Sequence, residues 1–405
     1  MQNTRARESV LKNVLRFSLP YLLSYFLQTL YGMADLLIIG QFDGVAGTTA
    51  VSIGSQVMHM VTVMLVGLAM GITVGIGHAV GAGENRRAGS TIGNGAVLFL
   101  VLSAALAALL AGLVGPITAI MSTPAEAVAG TRAYLTICFI GIPCITAYNI
   151  IAAIYRGLGD SKSPMYFIAV ACAANIVLDL VFMGALGMGP VGAALGTTLS
   201  QAISVVVSLA AILKRGLDGV QLQKSDFRPR RAIIGRILRV GVPVAMQDGL
   251  IQISFLIITV IANRRGLTDA AAVGVVEKFI SFLFLVPSSM LSTVSALGAQ
   301  NIGAKKPERA KEVLRYATMI AVGFGVIVAV LIQFIAEPVV GMFTTDQGVI
   351  LAGGQYLRGY IFDVIFAGVH FSFSGYFCAC GKSGLSFLHN ITAIVLVRVP
   401  GVYLT

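Results

Sequence analysis

Arg16-Phe-Ser-Leu-Pro20, close to the start of the chain, returns past its midpoint as Arg239-Val-Gly-Val-Pro243, and each copy leads into a long apolar run. The offset between them is 223 residues, and nearly the same offset recurs along the whole chain. Gly81-Ala82 with Arg87-Ala88 returns as Gly303-Ala304 with Arg309-Ala310, 222 residues on. The same 222 relates Pro116 to Pro338, Tyr134-Leu135 to Tyr356-Leu357, and Gly159 to Gly381. One offset held over so many positions marks an internal duplication, and the nature of the repeated unit follows from its hydropathy.

Of 405 residues, 57% are hydrophobic and 11% charged, with a mean hydropathy of +0.89. Soluble domains carry about 25% charged residues, so the composition is that of an integral membrane protein. The apolar runs reach the roughly 20 residues that a helix needs to cross hydrocarbon and lack the strict alternation of a membrane β-barrel strand. Windows of about 19 residues place spans at 15–40, 50–78, 90–114, 132–156, 165–186, 191–213, 240–262, 270–297, 314–336, 355–379 and 385–405. Pro20, Pro143, Pro243 and Pro287 fall inside spans, whereas Glu337-Pro338 reads as a connection.

The net charge of +11 is explained by topology rather than by a nucleic-acid partner, which would need a solvated basic face. Alternate connections hold 22 of the 28 Lys and Arg residues, and the opposite set holds four; Lys278 and Arg398 lie within spans. This bias places the N-terminus and the long connection between spans 6 and 7 in the cytoplasm of a multi-pass protein of the cell membrane. The five Cys lie in apolar runs without metal-type spacing, and the four His are scattered and read as isolated polar packing.

The fold class expected is an all-α polytopic membrane protein built from two parallel six-helix repeats, the second truncated, with about eleven transmembrane helices. Residues 1–214 would form an N-lobe, 215–239 a cytoplasmic linker and 240–405 a C-lobe. The counterpart of Lys214 would fall at 436, beyond Thr405, so a twelfth span is expected to be missing. Parallel repeats of this kind belong to transporters that rock two bundles about a midplane site.

Ionisable residues inside spans are costly and mark function. Asp35 lies in the first span, and Asn175-Ile-Val-Leu-Asp179 in the fifth puts an amide and a carboxylate on one helical face. Two carboxylates brought together away from water hold a proton or a cation more readily than two bare charges, and they titrate as one unit. Asn149, Asn175 and Thr197 are the polar side chains expected to complete this cation-coupling site, which would also suit Na⁺. Gln247, Asp248, Glu277, Lys278 and Asp363, in spans 7, 8 and 10, are candidates for lining a substrate cavity. No catalytic constellation and no cofactor are expected.

Met33-Ala-Asp35-Leu-Leu-Ile-Ile-Gly40-Gln41, Val80-Gly-Ala-Gly-Glu84, Arg156-Gly-Leu-Gly-Asp160-Ser-Lys162-Ser-Pro164 and Asn175-Ile-Val-Leu-Asp179 occur in this order, with Gly189-Pro-Val-Gly-Ala-Ala194 and Ala299-Gln-Asn301-Ile-Gly-Ala304 after them. Together they resemble the multidrug and toxic compound extrusion (MATE) transporters over the whole chain. The resemblance implies twelve helices in two lobes forming a V and export of cationic amphipathic compounds in exchange for H⁺ or Na⁺. It matches Asp35 and Asp179 to the N-lobe acidic positions, Asn175 and Thr197 to their polar neighbours, and Asn149 to the asparagine of the fourth span. Asp248 and Asp363 do not fit the C-lobe cation site of some members, and 222 residues beyond Asn175 and Asp179 stand Val397 and Gly401. A monomer in the bilayer, with small cationic substrates and no nucleic-acid partner, is expected. The alternative function is a lipid-linked oligosaccharide flippase of the same superfamily.

Overall fold

The computed structural model describes residues 9–217 and 219–398. Almost all of them are helical. The first half runs through α1 (Val10–Phe42), α2 (Gly44–Gly81), α3 (Asn85–Gly112), the short α4 (Val114–Ile120), α5 (Ala125–Ile140), α6 (Ile142–Leu158), α7 (Lys162–Asp179) and α8 (Gly189–Arg215). A 3₁₀ turn at Lys224–Phe227 interrupts the connection to the second half. That half comprises α9 (Arg231–Arg265), α10 (Leu267–Leu283), α11 (Leu285–Gly303), α12 (Pro307–Gly341), α13 (Gln347–Tyr360), α14 (Phe362–Ala379) and α15 (Ser383–Ala393).

Among the described residues, nine helical stretches are long and apolar enough to cross a membrane, and α5 with α6, bent by 49°, forms a tenth. Ser383–Leu396 stands at the eleventh place as a shorter apolar helix; residues 399–405 of the span expected at 385–405 lie outside the described residues.

Most of the helices overrun the apolar windows at one or both ends, because hydropathy reports only the part in hydrocarbon. The difference is largest at α9, which begins at Arg231, nine residues before the expected span. Its first turns, Arg231-Ala-Ile-Ile-Gly-Arg-Ile-Leu-Arg239, are amphipathic: Ile233 and Ile237 are buried while the arginines face out, their stems covering apolar surface. The stretch without long helix between the halves is therefore 216–230. Pro338 also lies inside a helix, α12, rather than in a connection. Pro143 sits in the first turn of α6, where its missing N–H costs no helical bond, and the fourth span bends there.

The apolar core follows the repeat in part, with further clusters shared between the halves. One set of buried side chains, including Phe99, Tyr134, Leu135 and Phe139, belongs to the first half. Another, built on Val276, Ile332, Leu357 and Val364, belongs to the second. A third joins them, with Met70 and Val74 of α2 against Val240 and Val244 of α9 and Ala299 of α11. Large apolar side chains stay exposed along the outer helix faces, Leu19, Leu37, Leu213 and Phe334 among them, as lipid-facing positions require.

The two halves touch chiefly through α2 against α9 and α11, and α1 against α11. Their bonds run from the middle of the helices to the end that carries the basic connections. Tyr25 and Ser292 share a hydroxyl–hydroxyl bond of 2.8 Å, Gln300 donates to the Gly157 carbonyl at 2.9 Å, and His78 Nε2 meets the Ala379 carbonyl at 2.7 Å. A Cβ on Gly81 would collide with the Gln300 carbonyl, so only glycine permits that backbone approach. The seam is thus closed at its basic end.

Candidate coupling site

Three helices of the first half bring four polar side chains together. Asp35 projects from the C-terminal part of α1, Asn175 and Asp179 from the last two turns of α7, and Thr197 from α8. Asp35 is 3% exposed, and Asp179 and Asn175 are 0% exposed. The Asp35 and Asp179 carboxyl groups are neighbours, with Asn175 beside them. The Thr197 hydroxyl donates to Asp35 Oδ2 at 3.1 Å.

That one donor does not satisfy the site. Asp35 Oδ1, both Asp179 oxygens and both polar atoms of the Asn175 amide are buried without a hydrogen-bond partner among the described residues. Buried polar groups are normally paired, and leaving a carboxylate bare costs several kcal/mol at least. Two adjacent carboxylates deepen the deficit, since like charges at this distance cannot both persist in a dry site. The donor set is oxygen-rich and short of hydrogen, which fits a proton shared between the carboxyls or a small hard cation such as Na⁺.

Two supporting features were not predicted from sequence. A Cβ on Gly196 would overlap Asp179 Oδ1, so α8 makes room for the carboxylate by having no side chain there. Directly after Asp179 the backbone widens into a π-helical turn, Leu180–Ala185, a device found frequently at functional sites. Gly196 was within reach of sequence reasoning, as the neighbour of Thr197; the run Leu180-Val-Phe-Met-Gly-Ala185 carries no local signal for its pitch.

The remaining candidates are dispersed. Asn149 donates to the Ile145 carbonyl of its own helix at 2.8 Å rather than to either carboxylate. Gln247, 1% exposed, accepts from Ser386 at 2.6 Å and so ties α9 to α15. Asp248 reaches the seam between halves: a Cβ on Gly67 of α2 would lie 2.7 Å from its Oδ2. Lys278 is exposed on α10 beside half-buried Glu277, and Asp363 occupies the first turn of α14, also half-buried. Two of the four histidines, expected to be isolated, are paired: His370 Nδ1 and His389 Nδ1 stand 2.8 Å apart between α14 and α15. Nineteen residues separate them, so no sequence spacing betrays the contact.

Comparison with known proteins settles what kind of molecule carries this site. The MatE family model matches twice, over residues 20–181 and 243–404, starting each time at the proline that sets the repeat. The chain belongs to the MATE family. Among curated MATE relatives, "Probable multidrug resistance protein YpnP" of Bacillus subtilis is 28% identical over 97% of this chain and 87% of its own. "Multidrug export protein MepA" of Staphylococcus aureus is 24% identical over the same shares of the two chains. A MATE crystal structure in complex with MaD3S superposes with a TM-score of 0.91 at 24% identity, covering 98% of this chain and 89% of that one, which establishes the two-lobed MATE fold. The chain is therefore a multi-pass membrane transporter of the multidrug efflux type.

Proposed function

We propose that this MATE chain is a secondary active antiporter that exports cationic amphipathic compounds in exchange for H⁺ or Na⁺ bound at Asp35 and Asp179. The observation that carries the reading is the buried, donor-poor carboxylate pair assembled from α1, α7 and α8. Such a site is costly to maintain without a cationic occupant, and an occupant that enters and leaves is what coupling needs. Asn175 and Thr197 position the carboxylates. Asn149 supports the fold of α6 next to them.

The cation drives export only if its affinity differs between the two access states. α1 offers the link, since it carries Asp35 and, ten residues earlier, Tyr25, whose hydroxyl bonds Ser292 across the closed seam. At 1.5 Å of rise per residue these two groups sit about 15 Å apart on one rigid element. Filling or emptying the carboxylate site therefore acts on the same helix that holds the lobes together. The seam is closed at the basic end, which the charge bias assigns to the cytoplasm with the N-terminus, so this conformation opens its interlobe space outward. Substrate would lie in that space, near Asp248 on the seam, with residues 1–214 and 240–405 as the rocking lobes.

The test is transport of a fluorescent cationic dye by proteoliposomes, with H⁺ and Na⁺ gradients imposed separately. Wild-type protein should accumulate dye against its gradient with one of the two ions, and Asp35→Asn and Asp179→Asn should each abolish the gradient dependence. Full gradient-driven transport by both variants would refute the coupling role.

A further inference from the structure

The linker between the halves is bolted to α3 by buried polar groups. Asp226, with a side chain 0% exposed, accepts from Ser90 at 2.8 Å, from Arg86 at 3.1 Å and from the Gln223 amide at 2.9 Å. Asn94, also 0% exposed, donates to the Asp226 carbonyl at 2.9 Å and accepts from the Arg230 amide at 2.6 Å. The last bond fixes the Arg230 backbone beside the third turn of α3.

The result is a cavity of about 730 Å³ walled by the start of α3 on one side and the start of α9 on the other. Four arginines line it, Arg86, Arg87, Arg230 and Arg236, with one acidic residue, Glu84. Arg86 is committed to Asp226 and Arg87 pairs with Glu84 at 3.0 Å. Arg236 bonds through Nε to the Ala232 carbonyl at 3.1 Å, which aims rather than neutralises its charge. The cavity thus keeps an excess of positive charge, and its floor includes apolar Ile233. It lies where α3 and α9 leave their apolar stretches, on the side with the basic connections.

We propose that this cavity is a binding site for the phosphoryl headgroup of an anionic phospholipid. Guanidinium forks match phosphate oxygens in geometry and charge, and basic pockets between membrane helices at the anionic leaflet take such headgroups. The apolar Ile233 in the lining and the apolar stretch of α9 that follows it select a lipid over free phosphate, since an acyl chain can run along α9 while the headgroup sits among the arginines. Because α3 belongs to the first half and α9 runs on into the second, an occupied site stabilises the arrangement in which the starts of α3 and α9 lie together. That makes the headgroup a regulator of lobe rocking as well as a ligand.

The experiment is a titration of the full chain in phosphatidylcholine nanodiscs with phosphatidylglycerol, read as the shift of the thermal-unfolding midpoint. Wild-type protein should show a saturable shift, and Arg230→Gln/Arg236→Gln should bind about 30-fold more weakly, one step of surface charge being lost per arginine. Arg230→Lys/Arg236→Lys, which keeps the charge but loses the fork, should fall between wild type and the glutamine variant. If the double glutamine variant fails to fold, Arg236→Gln alone is titrated, with an expected loss of about fivefold. Identical titrations of wild type and glutamine variants, or no difference between phosphatidylglycerol and phosphatidylcholine, would overturn the site. Millimolar inorganic phosphate reproducing the full shift in phosphatidylcholine would overturn its assignment to a lipid.

Discussion

Thr197 of α8 donates to Asp35 of α1 at 3.1 Å, and among the described residues it is the one hydroxyl bonded to the carboxylate pair. The bond fixes one oxygen of Asp35 and leaves the other free to face Asp179. A site made this way is half-built by the protein and completed by its occupant.

Removing the hydroxyl should therefore misplace Asp35 without unfolding the helices. Thr197→Ala is expected to lower gradient-driven transport about tenfold, the worth of one hydrogen bond to a charged group. Thr197→Ser, which keeps the donor, should restore most of it. Dye uptake at a fixed ion gradient measures both, and equal rates for Ala and Thr would show that the bond plays no part in coupling.

Gly196 tests the packing of the same site. Any side chain there collides with Asp179 Oδ1, so Gly196→Ala must either swing the carboxylate away or part α7 from α8. Overpacking of this kind costs about 1–3 kcal/mol, which should appear as a lowered thermal midpoint together with lost ion dependence. Gly235→Ala is the control. No atom lies within 4 Å of a Cβ at Gly235, and alanine inside a helix is favoured over glycine by about 1 kcal/mol, so its midpoint should hold or rise.

Asp35 and Asp179 were legible in the sequence because carboxylates inside apolar runs are rare, and Asn175 because four residues along a helix return to the same face. The helices themselves were legible from hydropathy, and the repeat gave their order. What escaped depends on contacts between distant positions or on backbone detail. His370 and His389 meet only because α14 and α15 pack side by side, and the π turn after Asp179 has no compositional mark. The first turns of α9 were hidden by their arginines, which lower hydropathy without weakening a helix. Lys278 shows the converse, a charge inside an apolar run that the fold leaves exposed.

The Tyr25–Ser292 bond should hold part of the closed seam. Tyr25→Phe and Ser292→Ala each remove about 1 kcal/mol, enough to move a two-state equilibrium about fivefold toward separation at the basic end. Spin labels placed on the connections before α3 and α12 would read this as a larger population of long distances. Because the two residues share one interaction, the double variant should add little to either single change; additive shifts would mean that the hydroxyls act separately.

The linker anchor has a pH signature. Burial alone would raise the Asp226 pKa, but the Gln223 amide, the Ser90 hydroxyl, and the Arg86 and Arg230 charges outweigh it and hold the carboxyl below its ordinary value. A group with a depressed folded pKa stabilises the native state above the unfolded pKa, near 3.9 for Asp, and loses that contribution as pH falls through the folded value. The anchor should thus be at full strength at neutral pH and weaken only below about pH 4. Asp226→Asn removes a charged acceptor of three bonds and should make the 216–230 segment more open to limited proteolysis at pH 7, by a factor of about 10 or more. The difference between variant and wild type should shrink as the pH is taken below 4, where Asp226 itself becomes neutral. A protection ratio that stays constant across that range would show that the carboxylate charge does not hold the linker.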